Sequence, residues 1–122
     1  MSLRGLSSLV RQLPGYLNIV RDLHAGRAEM VTGPAEKPLL LSSLWQSVRR
    51  PILVVSPRPE AARRIYDQLC IYFESEYQPL FFPEPEVLSC EFLSADHATN
   101  SERLRVLESL ANIPNTTPSI IV

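Results

Sequence analysis

The chain has 122 residues, 45% of them hydrophobic and 20% charged, with 12 basic and 13 acidic side chains and a net charge of −1. That length fits one domain, and that apolar fraction supports a packed core, which excludes a wholly disordered chain. The even charge excludes the broad basic surface of a dedicated nucleic-acid binder, so any contact with DNA has to be local.

Leu6, Leu9, Val10 and Leu13 recur at helical spacing, and Pro14-Gly15 breaks that helix. A second helix carries Tyr16, Ile19, Val20 and Leu23 on one face, with His24 in its last turn and Gly26 just beyond as stop signals. Ala28 to Val31 reads as a short strand that ends at Thr32-Gly33. Pro38 suits the first turn of a third helix. Its stripe is Leu40, Leu41, Leu44, Trp45 and Val48, and Arg49 and Arg50 close it at the negative end of the helix dipole. Trp45 is expected in the core or at an interdomain contact, not as a platform for stacking bases.

Ile52 to Val55 is a continuous apolar run bounded by Pro51 and Ser56-Pro57, the pattern of a strand buried on both faces. A helix from about Glu60 to Phe73 follows, with Ala61, Ile65, Leu69 and Phe73 inward. Leu80-Phe81-Phe82 is a third strand, ended by Pro83-Glu84-Pro85-Glu86. Thr99 with Glu102 forms a capping-box pattern ahead of a helix defined by Leu104, Leu107, Leu110 and Ala111. Ser119 to Val122 starts a fourth strand.

Strands alternating with helices predict an α/β fold. The expected architecture is an open, mainly parallel sheet flanked by helices, in a degenerate P-loop or helicase-like (RecA-like) layout preceded by N-terminal helices. Residues 1–26 form the helical segment and 27–122 the α/β domain. Because the last residues lie in a buried-type strand, the chain is read as a truncated fragment of a larger multidomain protein.

The N-terminus lacks a secretory signal, and no apolar stretch is long enough to span a bilayer, so a cytoplasmic protein without a membrane partner is expected. Cys70 and Cys90 lie far apart, and neither has a close Cys or His partner. They read as reduced structural thiols rather than a disulfide framework or a metal site. The 11 prolines fall mostly between periodic segments, as punctuation.

The segment Val31-Thr32-Gly33-Pro34-Ala35-Glu36-Lys37-Pro38 has the layout of a phosphate-binding loop. That chemistry needs small residues whose N–H groups cradle phosphate, a lysine for the terminal phosphates, and a Ser/Thr hydroxyl for magnesium. Gly33 and Lys37 are present. Glu36 stands where glycine is expected before the lysine, and Pro38 where the hydroxyl is expected after it. Glu36 would repel a polyphosphate, and Pro38 offers neither N–H nor hydroxyl. An ordinary connecting loop, with no catalytic residue and no bound cofactor, is the expectation.

Several segments carry a resemblance. Ala28 to Leu44, Ile52 to Leu69, Phe82-Pro-Glu-Pro-Glu-Val-Leu88, Ser101-Glu-Arg-Leu-Arg-Val-Leu107 and Pro118-Ser-Ile-Ile-Val122 occur in order and without large gaps over roughly the last hundred residues. Together they resemble the excinuclease-B-like module at the N-terminus of bacterial transcription-repair coupling factors. The resemblance implies a larger ATP-driven translocase on double-stranded DNA. Such a protein displaces stalled RNA polymerase and recruits excinuclease A. It also implies that this module has lost ATP binding, and that ATP and Mg are handled by motor domains elsewhere in the parent. An active P-loop nucleotidase or helicase domain and a free-standing small α/β binding module are the alternatives.

Arg58, Arg63 and Arg64 follow the second strand, where related helicases touch the nucleic-acid backbone. Phosphate contact is chemically reasonable. A solvated helix face, with Glu60 and Asp67 as partners at helical spacing, is the favoured reading. Glu84, Glu86 and Glu91 are separated by prolines and lack a nearby His, so a solvated loop is expected instead of a carboxylate pair. Asp96-His97 is expected as a surface turn, since no nucleophile accompanies it.

Overall fold

The computed structural model describes residues 4–73, 77–85, 97–112 and 119–122. Helices make up 61% of these. In chain order they are α1 (Arg4–Val10), α2 (Pro14–His24), α3 (Lys37–Val48), α4 (Pro59–Tyr72) and α5 (His97–Asn112), with strands β1 (Ile52–Leu53) and β2 (Ile120–Ile121). No helix among the described residues is long and apolar enough to cross a membrane.

The expected open, mainly parallel sheet is not what the chain builds. β1 and β2 form a parallel pair with Ile52 opposite Ile120 and Leu53 opposite Ile121. On the other side of β2, Leu80 makes a single parallel bridge to Ile121. The Leu80 and Phe82 N–H groups donate to the Ile120 and Val122 carbonyls at 2.7 and 2.8 Å. The 28–31 segment is not a strand. A strand persists only where its N–H and C=O groups find partners, and among the described residues none pairs with this segment. Val31 is 101% exposed. A helicase-like layout needs that strand at the entry to its phosphate loop, so the layout fails at the same point.

Burial corrects the second strand as well. Ile52 and Val54 point into the core, but Leu53 and Val55 lie open to solvent, so the run is covered on one face only.

The core lies between this small sheet and the α3–α4 pair. Trp45, Leu69, Ile120 and Val122 are its buried centre. Leu69 is wholly enclosed, which contributes about 1.5–3 kcal/mol relative to an exposed side chain. Trp45 meets the Phe73 ring edge-on at 5.0 Å, the favoured aromatic geometry. The expected stripe of α3 is thus correct at Leu41 and Trp45.

Helix boundaries follow local chemistry. Pro14 occupies the first turn of α2 and Pro59 that of α4, where a missing N–H costs nothing. Arg49 ends α3 in the left-handed conformation, φ 52°, with its N–H donating to the Trp45 carbonyl. Its guanidinium sits 5.2 Å over the Trp45 ring. That contact, worth about 0.5–1 kcal/mol, offsets much of the roughly 1–2 kcal/mol a non-glycine spends in this conformation.

The N-terminal helices attach through polar contacts. Tyr16 is buried, and its hydroxyl donates to the Ser43 carbonyl at 2.7 Å with Ser47 Oγ also at 2.7 Å. On α1 the enclosed residue is Ser7, reached by Gln46 Nε2 at 3.4 Å, while Leu6 and Leu9 remain exposed. α5 forms where the spacing of Leu104, Leu107, Leu110 and Ala111 places a helix. Val106 is its buried residue, and Leu104, Leu107 and Leu110 face outward. The helix already covers Thr99, so the capping box expected there is not its start.

Candidate functional site

The loop between the 27–32 segment and α3 is closed by its own side chains. The Gly33 N–H donates to Glu36 Oε2 at 3.0 Å. The Glu36 N–H donates back to the Gly33 carbonyl at 3.2 Å, and the Thr32 hydroxyl donates to that carbonyl at 3.2 Å. A phosphate loop works by presenting free N–H groups in a positive field. Here the first such N–H already holds an anion, supplied by the chain itself.

The remaining positions are equally unsuited to nucleotide. Pro38 is among the fully buried side chains, so it is a packing element at the start of α3. Lys37, the first residue of α3, is exposed. Gly33 is not in the left-handed region, and a Cβ added to it would meet the Glu36 carboxyl atoms at 3.5 to 3.6 Å, ordinary contact distances. Neither backbone conformation nor close packing demands glycine there.

A second concavity, about 1340 Å³ and open to solvent, lies at the carboxyl ends of the three parallel segments. This end of a parallel sheet is where α/β proteins place ligands. Its rim holds Val55 and Ser56 from the exit of β1, the first half of α4, and Phe82 to Pro85.

The arginines expected near this region are partly engaged. Arg63 Nε lies 3.4 Å from Asp67 Oδ1, four residues along α4, as the helical spacing of the pair implies. Its guanidinium also sits 5.0 Å over the Phe81 ring and 5.5 Å over Tyr66. Arg58 is the exposed residue that precedes α4. Arg64 lines the groove and has no ion pair among the described residues. Glu60, Asp67 and Glu84 share the groove with Arg63 and Arg64. Arg63 and Arg64 thus line one groove, and Arg58 stands just before the helix that carries them.

Arg103 is the residue that sequence reasoning passed over. Its Nη1 donates to the Pro83 carbonyl at 2.6 Å, and its guanidinium stacks 4.1 Å from the Phe82 ring centre. This joins α5 to the end of the third parallel segment and sets the rotation of the helix. The two partners are distant in sequence, so no short spacing announces the contact.

Among the described residues, the other candidates hold no assembled chemistry. Glu86, Cys90, Glu91 and Asp96 lie outside the described residues. His97 is exposed at the start of α5. Cys70 is a free, half-buried thiol, and burial pushes its pKa up, away from a reactive thiolate. Among the described residues, no group of three His, Cys, Asp or Glu side chains could hold a metal ion. Set against known protein families, curated proteins and solved structures, the chain matches none.

Proposed function

We propose that this chain is a non-catalytic scaffold segment of an ATP-dependent DNA translocase that couples transcription to nucleotide excision repair in the cytoplasm. The observation that carries the reading is the Gly33–Glu36 contact, in which the chain's own carboxylate takes the place of a phosphate. The segments that run in order from Ala28 to Val122 support the choice of family by their resemblance to transcription-repair coupling factors. In this reading ATP and Mg bind in motor domains of the parent protein. RNA polymerase, excinuclease A and double-stranded DNA are the parent's partners. This segment packs against the remaining domains and supports their partner-binding surfaces.

The test uses the protein that contains this chain, assayed for ATP-driven displacement of a stalled RNA polymerase. Displacement is expected, and Lys37→Ala should leave its rate within about twofold. Loss of one oriented charge in a working phosphate site costs far more than that. Absence of displacement would overturn the translocase reading. A collapse of activity in Lys37→Ala would overturn the non-catalytic one.

A further inference from the structure

We propose that α1 and α2 form a releasable strap across α3, latched by Tyr16, that lifts as a unit while the core stays packed. α3 has two unlike faces. Leu41 and Trp45 turn to the core. Ser43, Gln46 and Ser47 lie on the other side at helical spacing, and there α1 and α2 make their contacts. Serine and glutamine are what a helix ordinarily gives to water. Uncovering that face therefore forfeits little of the hydrophobic free energy that holds the core.

The strap's own composition agrees. Leu6, Leu9, Leu13 and Leu17 already face solvent, and Val10, Ile19, Val20 and Leu23 are only half-buried. The residues it encloses are Ser7 and Tyr16. The Ser42 and Ser43 hydroxyls each donate to the Leu39 carbonyl at 2.8 Å, so they are satisfied inside α3 with the strap on or off. Across the joint, the Tyr16 hydroxyl lies 2.7 Å from both the Ser43 carbonyl and Ser47 Oγ. The Gln46 Nε2 contact with Ser7 Oγ is longer, at 3.4 Å. Tyr16 thus supplies both the large buried side chain of the strap and its short hydrogen bonds to α3. A hinge is in place as well. Residues 28–32, between α2 and α3, make no backbone hydrogen bond among the described residues, so their φ and ψ can change without breaking a ladder. The joint makes no use of the Gly33–Glu36 contact, so it stands or falls separately from the proposed function.

The experiment is native-state amide hydrogen exchange on this chain in rising, sub-denaturing urea. α1 and α2 have 7 and 11 residues, shorter than the roughly 12–15 that hold a helix in water, so their amides exchange once the strap lifts. Amides from Asn18 to Leu23 should share one protection level, about a hundredfold or more below that of Leu69. Their urea dependence should also be much weaker, because lifting the strap exposes less surface than unfolding the chain. Tyr16→Phe should speed exchange in α2 about fivefold, the factor that losing one ordinary hydrogen bond gives. Equal protection and equal urea dependence in α2 and at Leu69 would mean one cooperative unit and overturn the strap. Protection that fades residue by residue toward the end of α2 would mean fraying, and overturn its lifting as a unit. Unchanged α2 exchange in Tyr16→Phe would overturn Tyr16 as the latch.

Discussion

The Glu36 carboxylate lies 3.0 Å from the Gly33 backbone nitrogen and accepts its hydrogen. One side chain thus satisfies the donor that a bound phosphate would need, and adds a negative charge beside it. If this contact defines the loop, Gly33 is replaceable. Gly33→Ala should change stability by less than about 0.5 kcal/mol, because the new Cβ meets only ordinary contacts and no left-handed backbone is involved. A urea midpoint lowered by several times that amount would show a constraint the geometry does not contain.

Glu36→Ala should remove a charge-assisted hydrogen bond at an exposed position, costing about 0.5–1 kcal/mol. It should not create nucleotide affinity, since buried Pro38 still supplies neither hydroxyl nor N–H. Calorimetric titration of this variant with Mg-ATP checks the point, and measurable heat of saturable binding would count against it.

Tyr16→Phe should cost about 1 kcal/mol by deleting the hydroxyl shared with the Ser43 carbonyl and Ser47. The same residue sets an alkaline limb. Burial raises its phenol above the ordinary 10.0, while the Ser47 hydrogen bond and the Arg11 charge pull less strongly the other way. A folded-state value above the unfolded one means the stability it contributes is full below about pH 10 and lost as pH rises through the folded value. Unfolding free energy measured across that range should fall less steeply in Tyr16→Phe than in the unsubstituted chain.

Leu69→Ala should be the most damaging single truncation, at about 2–5 kcal/mol, because its site is closed on all sides between α3, α4 and the strands. Truncating exposed Leu107 should cost under about 0.5 kcal/mol. Similar losses for the two variants in chemical denaturation would contradict the core assignment.

Arg103→Ala should cost about 1–2 kcal/mol by removing the Pro83 hydrogen bond and the Phe82 stack together. Arg103→Lys keeps the charge but loses the planar fork, and should restore less than half of that. Full recovery by lysine would show that charge alone positions α5.

The sequence made the helices legible where a proline or a stripe acted locally, as at Pro14 between α1 and α2, at Pro38 at the start of α3, and at Leu41 and Trp45 along it. It also placed Ile120 and Ile121 in a strand. It misled at Ala28 to Val31, because strand pairing is non-local and a short segment does not specify a partner for its backbone groups. The spacing of Leu104, Leu107 and Leu110 marked α5 as a helix but not its rotation, which buries Val106 and brings Arg103 to Pro83. That Glu36 and Pro38 depart from the phosphate-loop pattern was readable in the sequence. That Glu36 folds back onto Gly33 was not, because side-chain direction depends on the turn that only the structure reveals.

The Gly33–Glu36 contact points to a loop closed to nucleotide. A thermal melt of the chain against increasing Mg-ATP tests it most directly. A ligand present at a hundred times its Kd adds about 2.7 kcal/mol to the folded state, a rise of roughly 10 °C for a domain of this size. The closed loop predicts a melting temperature flat to within about 1 °C across millimolar Mg-ATP. A saturable rise, abolished by Lys37→Ala, would contradict it.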